Sequence, residues 1–135
     1  MKRTDFYIII NTESGKKPIK ERGYMFEKCG HWFTVRRSLP SEKARYYKKW
    51  IISDFVTGLI MTSTDSRIEN VRYALPECSI VKLLGFYDNC AIFGHSPVRE
   101  ELQSYAQMIH AAMFKDNPES KMLELHQSQA EELFN

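Results

Sequence analysis

The chain has 135 residues, 43% apolar and 13% aromatic, with 19 Lys and Arg against 17 Asp and Glu. That length suits one domain, and a chain this size buries roughly two thirds of its unfolded surface, so it needs neither disulfide nor metal as a staple. A net charge of +2 with 27% charged residues excludes a strongly disordered polyampholyte tail.

Met1-Lys-Arg-Thr-Asp5 lacks the apolar core and cleavage site of a secretory signal, and no apolar run reaches the ~18 residues of a membrane span. The expectation is a soluble, cytoplasmic protein without membrane contact. Residues 5–10, Asp-Phe-Tyr-Ile-Ile-Ile, are a β-branched and aromatic run and read as a buried strand. Residues 11–18 are turn chemistry punctuated by Gly15 and Pro18. Runs at 22–28 and 31–37 flank Cys29-Gly30, the spacing of a tight hairpin with Gly30 supplying a positive φ. Tyr24, Phe26, Phe33 and Val35 are its candidate core residues. After a loop at 38–43, runs at 46–54 and 57–63 pair around Asp54-Phe-Val-Thr-Gly58. An Asx-type hydrogen bond between Asp54 and a nearby backbone amide explains that turn.

Ser66-Arg-Ile-Glu69 has the pattern of a capping box, in which hydroxyl and carboxylate each satisfy an orphan amide. Ile68, Val71 and Leu75 then repeat on one helical face before Pro76, so a helix is expected over 66–75. Residues 79–84 and 89–93, bracketed by Gly85 and Gly94, read as a further strand pair. Ser96-Pro97 opens a helix over 97–114, with Leu102, Tyr105, Ala106, Ile109, Ala112 and Met113 at helical spacing. Asn117-Pro118 opens the last helix, 119–134, with Met122, Leu125, Ala130 and Leu133 as a partial apolar stripe.

Strands first and helices late predict an α+β fold: an antiparallel sheet of about five to six strands built from hairpins, one helix on the sheet, and two C-terminal helices. Residues 1–95 are the mostly β part and 96–135 the helical hairpin of the same single domain. The apolar faces of the last two helices suit either a helical hairpin or a dimer interface, which leaves monomer and homodimer both open.

Signs of catalysis are absent from the pattern. Cys29, Cys78 and Cys90 are odd in number and lack C-x-x-C spacing, as expected of reduced thiols. Zinc held by Cys78, Cys90 and His95, with Cys29 or His31 as fourth ligand, would lack the usual paired spacing, so no metal is expected. Cys29 or Cys90 with His31 or His95 forms no known nucleophile signature. His110 and His126, on predicted helices, read as surface or satisfied core residues. Neither a phosphate-binding nor a dinucleotide-binding glycine motif occurs, so no cofactor and no enzymatic activity are expected.

Charge is distributed unevenly. Residues 1–50 hold 13 Lys and Arg against 5 Asp and Glu, whereas residues 51–135 hold 6 against 12. Such asymmetry predicts a polyanionic partner for one face or an acidic docking face on the other, with mutual attraction of the halves as the plain alternative. On the basic side Arg36, Arg37, Lys43, Arg45, Tyr46, Lys48 and Lys49 interleave cations with aromatics, the combination that binds single-stranded nucleic acid. The same residues also suit an ordinary solvated strand edge. On the acidic side Glu100, Glu101, Asp116, Glu119 and Glu124 can stand where phosphates would dock on a nucleic-acid-binding partner.

Trp50-Ile-Ile-Ser-Asp-Phe-Val-Thr-Gly-Leu-Ile-Met61, followed by Ser66-Arg-Ile-Glu-Asn-Val71, resembles small accessory proteins of phages and mobile elements, the anti-CRISPR inhibitors of host defence among them. The likeness covers about 22 residues and brings no catalytic residues. It implies a non-catalytic binder that inhibits a host nucleoprotein through protein–protein contacts. The alternative is a small basic-aromatic nucleic-acid-binding protein.

Overall fold

A computed structural model describes residues 1–42, 49–78 and 97–134. Five strands form one antiparallel meander: β1 (Arg3–Thr12), β2 (Gly15–Lys28), β3 (His31–Arg37), β4 (Trp50–Asp54) and β5 (Ile60–Thr64), in that spatial order. Among the described residues the sheet is followed by the helices α1 (Pro97–Asp116) and α2 (Lys121–Phe134). The fold is therefore α+β. The expected strands at 79–84 and 89–93 lie outside the described residues. None of the described helices is long and apolar enough to cross a membrane.

The β2–β3 hairpin turns on Cys29 (φ 55) and Gly30 (φ 75). Two successive positive φ values match the right-handed twist of the flanking strands, which is why so short a loop closes here. The β1–β2 hairpin is longer than the turn residues suggest. Its register runs from Arg3↔Tyr24 to Thr12↔Gly15, so Pro18 lies inside β2 opposite Ile9 and not in a loop. Pairing of β2 with β3 begins only at Tyr24, so Pro18 sits where β2 has β1 alone as a ladder neighbour and its missing N–H is tolerated. At Gly23 a Cβ would lie 2.1 Å from the Val35 carbonyl oxygen, which makes any side chain there incompatible with β3.

Register explains the core. Tyr24↔Val35, Phe26↔Phe33 and Val35↔Ile52 place these side chains on one face of the sheet. Val71, Leu75, Leu102, Ala106 and Leu133 bury against that face. Phe6 and Ile8 belong to the other register set, and Phe55, Ile109, Met113 and Leu123 pack with them. The two expected C-terminal helices are present, and both contribute side chains to the core beside the Val71 and Leu75 segment. Each such buried apolar side chain contributes ~1.5–3 kcal/mol.

The 66–75 segment corrects the capping-box reading. It forms a seven-residue 3-10 turn, Ile68–Ala74, whose N-cap position is Arg67 without a side-chain cap. Ser66 is engaged elsewhere: its backbone amide donates to Thr64 Oγ1 at 3.1 Å, and the two hydroxyls lie 2.7 Å apart. The far end is closed by Lys28, whose Nζ donates to the Arg72 and Leu75 carbonyls at 2.9 and 2.7 Å. Likewise α2 is capped by Ser120, whose Oγ accepts from Leu123 N at 3.1 Å, and not by Asn117. Asn117 Oδ1 instead accepts from Glu119 N within the turn.

Candidate functional site

Burial of α1 follows the expected stripe, Leu102, Ala106, Ile109 and Met113. In α2 the buried positions are Leu123, His126, Gln129 and Leu133, so the expected stripe is shifted and contains two polar residues. Each has a backbone partner across the interface. Gln129 Oε1 accepts from Trp32 N at 3.1 Å while its Nε2 donates to Gly30 O at 3.4 Å, which ties α2 to the β2–β3 turn. His126 Nε2 lies 2.9 Å from the Val56 carbonyl oxygen in the β4–β5 turn.

That turn is built on Asp54. Its carboxylate, 0% exposed, accepts from His31 Nε2 (2.6 Å), Thr57 Oγ1 (2.7 Å), Thr57 N (3.2 Å) and Val56 N (3.3 Å). The Asx-type turn expected from the sequence is present, and His31 is an addition no spacing revealed. Burial alone would raise the Asp54 pKa, but the His31 hydrogen bond and charge, with the Thr57 and Val56 donors, hold it below the ordinary carboxylate value. His31 is 3% exposed, so no substrate reaches the pair and its work is to hold the turn. Cys29, the nucleophile candidate nearest His31 in sequence, is exposed whereas His31 is buried on Asp54. Cys90 and His95 lie outside the described residues.

A second, half-buried carboxylate binds Arg36. Glu42 takes Arg36 Nη1 and Nη2 at 2.7 and 3.1 Å and Leu39 N at 2.9 Å. Burial pushes the Glu42 pKa up, and the Arg36 and Leu39 hydrogen bonds outweigh it, leaving a net lowering. Arg36 is therefore 3% exposed and not on the basic surface. Its Nε, with Thr34 Oγ1 and Ser53 Oγ, is buried without a hydrogen-bond partner.

Of the remaining basic candidates, Arg37 is exposed, with its guanidinium carbon 3.9 Å from the centre of the Trp50 ring. Lys49 is half-buried. Lys43, Arg45, Tyr46 and Lys48 lie outside the described residues. The structure thus brings Arg37 and Lys49 to the two flanks of that segment and turns Arg36 inward.

The acidic candidates Glu100, Glu101, Asp116, Glu119 and Glu124 are all exposed. Twenty residues of α1 span ~30 Å, so Glu100 and Glu101 stand at one end and Asp116 at the other. The Arg99 guanidinium donates to the Phe134 carbonyl, which brings the end of α2 back beside the start of α1. Asp116 accepts from Lys20 Nζ at 2.9 Å, and Glu101 from the Tyr105 hydroxyl. Desolvation and that Glu101 contact push the Tyr105 pKa up to about 12. Among the described residues no three His, Cys, Asp or Glu side chains converge on a metal-sized site. Comparison with known proteins finds no matching family model, curated protein or solved structure.

Proposed function

We propose that this chain is a non-catalytic binding protein of a phage or mobile element that inhibits a host nucleoprotein, as anti-CRISPR proteins do, through its acidic helical layer. The observation that carries this reading is the exposure of Glu100, Glu101, Asp116, Glu119 and Glu124 on the two helices and the turn that joins them, residues 97–134, which together hold seven Asp and Glu against three Lys and Arg. Carboxylates spread over such a face offer a nucleic-acid-binding partner the charge it otherwise takes from phosphates, and they speed the encounter. The packing of both helices into the core supports a rigid presentation of these groups. The test is interferometry of the immobilised chain against purified CRISPR effectors in nucleic-acid-free form. Binding that a DNA competitor removes, and that reversal of all five carboxylates to Lys weakens at least about tenfold, is the expected result. Affinity indifferent to the five reversals would end the proposal.

A second reading rests on the exposed Arg37, set against the half-buried Trp50 ring beside Lys49. A cation stacked on an indole is a fitting flank for a single-stranded nucleic acid. Salt-sensitive anisotropy of labelled DNA or RNA that Arg37→Glu with Lys49→Glu removes would favour it over the acidic-face reading.

A further inference from the structure

We infer that His110 and His126 form a two-imidazole site for a divalent transition-metal ion in the cleft between α1 and α2. The cleft holds a cavity of about 220 Å³ whose lining includes Gln107, His110, His126, Gln127 and Glu131. His126 is 1% exposed, and its two ring nitrogens have different fates. Nε2 faces the Val56 carbonyl oxygen at 2.9 Å; a carbonyl only accepts, so Nε2 carries the proton. Nδ1 is then a bare lone pair, and it is buried without a hydrogen-bond partner. An orphaned buried acceptor of this kind is destabilising and asks for a ligand.

The arrangement is that of a metal-binding histidine. Such a residue donates its outer N–H to a backbone carbonyl or carboxylate, which fixes the tautomer and turns the other nitrogen to the ion. The His110 ring centre lies 6.1 Å from that of His126, with the planes tilted by 41°. An ion ~2.0–2.1 Å from one nitrogen of each ring separates the ring centres by about 5–6.5 Å, so the observed spacing needs little adjustment. Imidazole pairs select Zn²⁺, Ni²⁺ and Co²⁺ over hard cations. Gln107, Gln127 and Glu131 are exposed at the mouth, where they make a polar route inward. With two protein nitrogens the remaining positions go to solvent, which makes this an open site rather than a closed structural one. It is independent of the acidic docking face.

The test is titration of the reduced full chain with Zn²⁺ by calorimetry and with Co²⁺ by absorption spectroscopy. One equivalent should bind, the cobalt spectrum should lack a thiolate charge-transfer band, and His110→Ala should weaken binding at least about tenfold. His110 is only half-buried, so that variant is expected to melt at the metal-free wild-type temperature. His126→Gln keeps a donor for Val56 and should also lose the ion. Absence of stoichiometric binding, a thiolate band, or unchanged affinity in His110→Ala would each overturn the site.

Discussion

Two hydrogen-bonded carboxylates, one buried and one half-buried, divide the polar work of this sheet. Asp54, in the turn after β4, is fully dry and collects a histidine and both donors of Thr57. Glu42, in the 3-10 turn after β3, keeps 20% side-chain exposure and holds one arginine. Each ends with a lowered pKa, because oriented donors overcome desolvation in both places. The difference lies in what is tied. Asp54 fixes a turn on which α2 rests through Val56, whereas Glu42 neutralises a cation six residues away within one local segment.

The comparison breaks most sharply at Asp54. Asp54→Ala leaves His31 buried without its partner and should cost ~3–5 kcal/mol in denaturant unfolding. Glu42→Ala, with part of the loss met by water, should cost about 1–3 kcal/mol. Equal losses in the two variants would show that exposure of Glu42 makes no difference. Gln129→Ala comes next, at ~1–2 kcal/mol, since the Trp32 amide and Gly30 carbonyl lose a shared partner.

Acid titration separates the groups by window. Lowered folded pKa values mean that the unfolded chain takes up protons first, so stability is present above the unfolded pKa and lost as pH falls below it. For Asp54 and Glu42 that loss begins near pH ~4. For His126, lowered by burial and by the neighbouring His110 against the Val56 and Asp54 contributions, it begins near pH ~6.5. Stability of the metal-free chain should therefore fall between pH 7 and 5, and His126→Gln should flatten that limb while leaving the lower one. A wild-type profile flat from pH 7 to 5 would contradict the assignment. The smallest effect belongs to the surface: single reversals such as Glu119→Lys or Glu124→Lys should change stability by no more than about 0.5 kcal/mol.

Much of the architecture was legible because it rests on local chemistry. The β-branched run of β1, the Cys29-Gly30 turn, the Asp54 turn and the stripe of α1 each follow from residue type, a period or a backbone conformation within one short segment. The capping box misled because its serine has a nearer partner in Thr64, and the α2 stripe misled because His126 and Gln129 occupy core positions. A hydrophobic pattern cannot show that a polar residue will be buried when its partner is a backbone group 70 or 97 residues away.

Among the candidate sites, Glu100, Glu101, Asp116, Glu119 and Glu124 needed only helical spacing and charge to be placed on the surface. Arg36 looked like its neighbour Arg37, yet the single acid of that basic stretch, Glu42, draws it inside. Strand alternation put Arg36 and Arg37 on opposite faces, and it was packing on the Arg36 face that made one guanidinium structural and left the other exposed. Sequence by itself determined the element types, the hairpins and the acidic helical pair, because periodicity and turn conformation act over a few residues. Tertiary structure alone decided the meander's register, the His31–Asp54 and Arg36–Glu42 pairs and the meeting of His110 with His126. Those depend on which segments desolvate each other, and desolvation is a property of the assembled core.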